Sequence, residues 1–250
     1  MKKKILLVLF LFTIHSLIAQ SVKDSVKIDS KPQFKFKYKQ LIIPVVFIGY
    51  GIYGLENHNI QLFNTELSAE LKEHIDEKLT IDDFSQYAPA ATALGLDAFG
   101  IKGKNTFKDK AIILSTSYIL MGLSVNILKK TSHSERPDGT SNNSFPSGHT
   151  ATAFMGAELL YQEYKHKSIW YGISGYIVAT GTGAFRIYNN RHWLSDVVAG
   201  AGIGILSTKA AYWLFPTINK LFNPNETNTK TSFIPFYDGK TVGFGLVSNF

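Results

Sequence analysis

Two blocks of 18 residues, 111–128 and 168–185, contain no Asp, Glu, Lys or Arg. Runs of that length exceed an ordinary strand and fall just short of the roughly 20 apolar residues of a membrane-spanning helix, so both are read as helices. Four further segments read the same way: "LIIPVVFIGYGIYGL" (41–55), "APAATALGLDAFGI" (88–101), "TATAFMGAELLYQEY" (150–164) and "LSDVVAGAGIGILSTKAAYWLF" (194–215). A more charged segment, "TELSAELKEHIDEKL" (65–79), sets Leu67, Leu71, His74, Ile75 and Leu79 on one helical stripe. The expectation is an all-α fold, a bundle of about six core helices. Both blocks are interrupted by Ser, Thr and Gly, small residues that suit close helix contacts in lipid and in a compact bundle in water alike. A membrane-embedded or membrane-attached protein and a soluble one both remain open.

The two ends have a different character. "MKKKILLVLFLFTIHSLIAQ" gives three lysines, an apolar run and a small residue, so residues 1–19 are expected to be a signal peptide cut after Ala19; Leu17 leaves an uncleaved anchor as the alternative. Residues 20–40 are a lysine-rich linker and 41–222 the main domain. In the tail, 223–250, the dipeptide Asp238-Gly239 between two short β-like runs predicts a hairpin. The formal charge of +7 falls by three when Lys2, Lys3 and Lys4 leave with the signal. That mild excess suits an anionic membrane surface or a phosphorylated substrate and is too scattered for nucleic acid. The chain has no cysteine, which excludes disulfides and any thiolate nucleophile.

Three short motifs carry possible chemistry. Lys129 is followed by Arg136-Pro137; Pro146, Ser147, Gly148 and His149 run together; Arg186 is followed by His192 and then Asp196. Pro146 has the fixed φ of a first helical turn, and a helix start there is either a plain cap or an anion site with free N–H groups. On a helix, His192 and Asp196 share a face, either as a surface pair or as a carboxylate orienting an imidazole. Each cation alone is either solvated or a fork for phosphate oxygens.

Taken in this order and spacing, the motifs resemble those of the type 2 phosphatidic acid phosphatase (PAP2) family, related to bacterial class A acid phosphatases and vanadium haloperoxidases, over roughly residues 85–215. The resemblance implies a PAP2-type helical bundle and a phosphatase that uses neither metal nor cofactor. It implies His192 as the nucleophile that becomes a phosphohistidine, Asp196 on its other ring nitrogen, and His149 as proton donor to the leaving group and then base for water. Lys129, Arg136, Ser147, Gly148 and Arg186 would bind the phosphate, since phosphoryl transfer is mainly positioning and charge stabilisation. The family usually has Ser before the third-motif arginine, where this chain has Phe185.

The expected substrate is a phosphate monoester or diphosphate of a lipid such as phosphatidic acid, phosphatidylglycerol phosphate, undecaprenyl diphosphate or a lipid A phosphate. The expected location is the cell envelope, site facing the periplasm. The alternatives are a soluble non-specific acid phosphatase, a vanadium haloperoxidase and a non-catalytic envelope protein. His133, His149, His192 and Asp196 are all metal-ligand types, but three cations beside them oppose a divalent ion. The motifs say nothing about protein partners.

Overall fold

The computed structural model describes residues 37–73, 80–222, 230–237 and 242–249. The expected signal peptide, most of the basic linker, His74, Ile75, Leu79 and the Asp238-Gly239 turn lie outside the described residues. Eight α-helices are present among the described residues: α1 (Ile42–Glu56), α2 (His58–Glu73), α3 (Ile81–Ser85), α4 (Ala88–Gly95), α5 (Phe107–Ser132), α6 (Gly148–Tyr164), α7 (Ile169–Tyr188) and α8 (Leu194–Phe222). Short 3-10 turns cover Tyr38–Leu41 and Leu96–Phe99. The all-α reading holds, and the tail forms the expected hairpin. Strand β1 (Lys230–Tyr237) pairs antiparallel with β2 (Val242–Asn249), from Lys230 opposite Asn249 to Tyr237 opposite Val242.

Side-chain caps set three of the helix starts. Thr106 accepts from the Asp109 N–H at α5, Ser147 from the Thr150 N–H at α6 and Ser168 from the Trp170 N–H at α7. Pro146 therefore lies one residue outside the cap and not in the first turn of α6, and its bond to Phe145 is cis. The helix start expected at residues 146–149 stands, with Ser147 as its cap.

Helix α6 is the axis of the bundle. Every residue from Thr150 to Leu160 is buried, and α4, α5, α7 and α8 pack around it. Helix α8 approaches α6 at backbone distance: a Cβ on Gly200 would stand 2.5 Å from the Ser147 carbonyl oxygen, and one on Gly204 2.2 Å from that of Ala151. On its other side α8 meets α1, where Gly51 lies equally close to Ala199. Gly51, Gly200 and Gly204 are thus contact points between helices.

Burying α6 all round also buries Glu158 and Glu163, and both are matched. Glu158 accepts from Lys209 at 2.6 Å and from the Tyr176 hydroxyl; Glu163 accepts from Tyr212 and from the backbone and side chain of Asn105. Such pairing is what makes a buried carboxylate tolerable, and removing one partner costs about 3–5 kcal/mol.

The 65–79 stripe is redrawn. Helix α2 begins earlier, at His58, and its inward face combines Ile60, Leu67 and Leu71 with two fully polar residues, Asn64 and Ser68. Asn64 donates to Ser195 Oγ at 2.9 Å, and Ser68 donates to Asn190 Oδ1 at 2.6 Å. The helix docks through hydrogen bonds on either side of His192.

Among the described residues, three helices are long and apolar enough to cross a membrane: Tyr38–Glu56, Phe107–Ser132 and Leu194–Leu221. Block 111–128 falls within the second. Block 168–185, diluted by Gly, Ser and Thr, is not among them. Helix α5 turns Ile119, Leu123 and Ile127 outward as one exposed stripe, and α1 exposes Ile42, Ile43, Val45 and Val46. Contiguous apolar faces of this kind suit lipid far better than water.

Candidate active site

The ends of α5 and α7 and the starts of α6 and α8 meet on one side of the bundle, joined by the 133–147 loop and covered by α3. A backbone hydrogen bond from the Ser147 N–H to the Asp196 carbonyl, 3.0 Å, locks the start of α6 to the first turn of α8. Trp193 Nε1 donates to the Glu135 carbonyl and Arg191 pairs with Asp138, both at 2.8 Å, so the loop is held against the segment that carries His192.

His192 and Asp196 do not share a helical face. His192 sits two residues before α8, and Asp196 lies in its first turn, where Oδ2 accepts from the Trp193 N–H at 2.9 Å as in a capping box. His192 Nδ1 stands 3.6 Å from that same Oδ2, a contact longer than a hydrogen bond. The hydroxyl of Ser144 fills the difference. It donates to Asp196 Oδ2 at 2.5 Å and lies 3.5 Å from His192 Nδ1. Ser144, His192 and Asp196 are all buried. Burial pushes the His192 imidazole down to about 4, overriding the opposite pull of Asp196, and leaves the ring neutral at physiological pH.

Lys129 and Arg186 act on this imidazole electrostatically, and Arg136 acts on Asp196 and Arg186 beside it. Lys129 Nζ donates to the carbonyls of Asn143 (2.5 Å) and Ser144 (3.4 Å), and Arg136 Nε to Asn143 Oδ1 (2.9 Å). Arg186 Nη1 pairs with Asp82, a buried carboxylate that also accepts from Asn189 Nδ2 at 2.9 Å. Two buried guanidinium nitrogens, Nη1 of Arg136 and Nε of Arg186, have no hydrogen-bond partner among the described residues. Gly148 leaves open space where a side chain would stand: the nearest atom to its Cβ position is Val125 Cγ1, 3.9 Å away. Unpaired donors, a helix N-terminus and a side-chain-free approach together suit an oxyanion.

His149, on the first turn of α6, has Nε2 at 3.0 Å from Asp83 Oδ1. Burial and the nearby Arg186 hold its imidazole below the ordinary value, and Asp83 and Asp82 pull it up. His133 is an exposed residue with φ of 48°. Phe185 turns edge-on to Tyr188 at 6.3 Å between ring centroids.

Sequence reasoning missed Ser144, Asp82 and Asp83. Ser144 stands two residues before the second motif and was there to be read; nothing local marks the aspartates. Donor atoms of Asp82, Asp83 and His149 lie within 4.8 Å of one another. The Arg186 guanidinium already supplies the positive charge at that point, which opposes a metal ion there. Behind Asp196, a cavity of about 750 Å³ opens between Gly54, Asn64, Ser132, Phe145 and Trp193.

Residues 110–220 match the family model of the PAP2 superfamily. The matched segment contains all three motifs. This segment belongs to the PAP2 superfamily. The chain is 47% identical over 135 residues to the lipid A 1-phosphatase of Porphyromonas gingivalis, covering 54% of this chain and 30% of that protein. It is 35% identical over 78 residues to the bacitracin transport permease protein BcrC of Bacillus licheniformis, 31% of this chain and 36% of that one. The chain thus spans about a third of the length of the curated relatives it matches. Among solved structures, a transmembrane PAP2-type phosphatidylglycerolphosphate phosphatase from Bacillus subtilis superposes with a TM-score of 0.47 at 16% identity, over 74% of this chain and 98% of that one. The LpxE of Aquifex aeolicus gives 0.44 at 25% identity, over 58% and 92%. Asp82, Asp83 and Asn64 lie outside the PAP2 segment, so the segments before it complete the surroundings of the site.

Proposed function

We propose that this protein is a membrane-associated PAP2 phosphatase that hydrolyses a lipid phosphate through a phosphohistidine. The observation that carries this reading is the pair of unpartnered buried guanidinium nitrogens, Arg136 Nη1 and Arg186 Nε, beside a buried neutral imidazole. Donors of that kind are costly unless an anion takes them up. Lys129, Arg136 and Arg186 neutralise the phosphate, and the Ser147 hydroxyl and the Gly148 N–H at the start of α6 add dipoles.

In the first half-reaction His192 Nε2 forms a bond to phosphorus as the bond to the leaving oxygen breaks. Asp196 and Ser144 hold Nδ1, and His149 gives its proton to the leaving oxygen. In the second, His149 takes a proton from water, the water oxygen bonds to phosphorus, and the P–N bond breaks to release inorganic phosphate and free His192. The outward apolar faces of α1 and α5, and the name of the P. gingivalis relative, support a lipid substrate. A site facing the periplasm is consistent with an exported chain.

The test is phosphate release from a panel of lipid and soluble phosphates by the wild type and by His192→Ala. Release from lipid phosphates that vanishes in the variant, with the fold intact by circular dichroism, is the expected result. Release that persists in His192→Ala overturns the mechanism, and activity on soluble esters alone overturns the lipid reading.

A further inference from the structure

Two consecutive carboxylates on α3 grip the two halves of the site. Asp82 is buried and holds Arg186; Asp83 is 54% exposed and holds His149 Nε2 at 3.0 Å. The next residue, Phe84, is 77% exposed, and Ile81 and Tyr87 are exposed with it, so the carboxylates sit beside an apolar rim. With His192 attacking in line, His149 stands on the leaving-group side of phosphorus, and so does the carboxylate bonded to it.

Two classes of leaving group respond in opposite ways to a negative charge there. An alcohol departs as an alkoxide and needs a proton. Asp83 stabilises the imidazolium that waits to give it, and once the proton has moved the product is neutral. The outer part of a diphosphate behaves differently, because its leaving group is itself a phosphate. That group departs as a stable anion, takes little help from a proton donor, and keeps its charge against Asp83 throughout. Arg186 neutralises Asp82, whereas among the described residues the partner of Asp83 is His149 alone, and its charge is unbalanced once His149 has given up its proton.

Resting on the phosphatase reading of the same site, the geometry points to Asp83 as a specificity-determining residue that selects phosphate monoesters of an uncharged, hydroxyl-bearing lipid over diphosphates. A monoester is cleaved at its ester oxygen, with His149 and Asp83 acting as a charge-balanced pair. A diphosphate meets the same carboxylate as like charge, at a separation where repulsion changes rates by about tenfold or more.

The test compares initial rates of phosphate release from dodecyl phosphate and dodecyl diphosphate in detergent, which share one apolar body. Wild type, Asp83→Asn and Asp83→Glu are assayed as full-length protein. The wild type is expected to favour the monoester. Asp83→Asn should lower the monoester-to-diphosphate ratio of kcat/KM by about tenfold or more, losing monoester rate while gaining diphosphate rate, and Asp83→Glu should restore most of it. A ratio unchanged in Asp83→Asn, or a fall of both rates in equal proportion, overturns the role of Asp83. A wild type that releases phosphate from neither compound nor from any other phosphate overturns the phosphatase reading itself.

Discussion

The hydroxyl of Ser144 donates to Asp196 Oδ2 across 52 residues of sequence, and the same hydroxyl touches the edge of His192. With 3.6 Å between His192 Nδ1 and Asp196, the serine is the group that fixes where the carboxylate stands relative to the ring. Ser144→Ala should therefore lower kcat roughly tenfold to a hundredfold, as losses of such orienting partners do, with KM for a soluble ester changed little. Steady-state kinetics of the pure variant separate the two; a rise in KM at constant kcat would place Ser144 in substrate binding instead.

The pH profile should be displaced to the acid side. His192 has to be neutral to attack, and its value of about 4 puts the acid limb of kcat/KM there and not near 6.5. His149 has to be protonated, and it is held below 6.5 in the free protein, so kcat/KM falls as pH rises past that lowered value. The two limbs enclose an optimum between about 4 and the shifted value of His149. Stability follows the same group: between 6.5 and about 4 the unfolded chain takes up the proton that folded His192 refuses, so the melting temperature drops as pH falls through that window.

Phosphate release should survive EDTA, because the proposed clamp of Lys129, Arg136 and Arg186 balances the phosphate charge without a metal. Vanadate should inhibit competitively, since its five-coordinate adduct on His192 imitates the transition state. Loss of activity on chelation, restored by a divalent ion, would contradict a clamp made of side chains.

Helix contact at α8 predicts a sharp contrast between glycines. Gly200→Ala drives a methyl into the Ser147 carbonyl and should cost about 1–3 kcal/mol or more, with a lower melting temperature and lost activity. Gly122→Ala on α5 meets nothing within 4 Å and should leave stability equal or up to ~1 kcal/mol higher. Thermal melts of the two variants in one detergent make the comparison.

The absence of cysteine allows a clean test of sidedness. Asn142→Cys places a thiol on the exposed loop beside the site. A membrane-impermeant maleimide should label it in intact cells; labelling only after lysis would put the site on the inner face.

The helices were legible because uncharged runs too long for strands leave little else, and the three motifs because each packs its residues into a short stretch. What escaped was whatever depends on distant partners. Glu158 and Glu163 sit in an ordinary-looking helix, and only the fold reveals that Lys209 and Tyr212, some 50 residues on, make their burial possible. The i, i+4 spacing of His192 and Asp196 suggested one helical face, but the helix starts between them. Asp82 and Asp83 resemble any acidic first turn until Arg186 and His149 arrive from more than 60 residues away. Within the described part of the stripe expected at 65–79, Leu67 and Leu71 share their face with Ser68, whose partner Asn190 lies more than 100 residues away and could not be read locally.

The contact of α6 with α8 has a consequence for how such a protein diversifies. Where two helices touch through glycine and carbonyl oxygen, no side chain remains whose replacement would nudge them apart by a fraction of an ångström. The segments carrying His149 and His192 are therefore spaced by the main chain, and mutation there either preserves the distance or destroys it. Variation in what is accepted has to come from elsewhere, from the side chains of α3, which the proposed mechanism sets on the leaving-group side. The chemistry is frozen in backbone, and selectivity is written in side chains that can change one at a time.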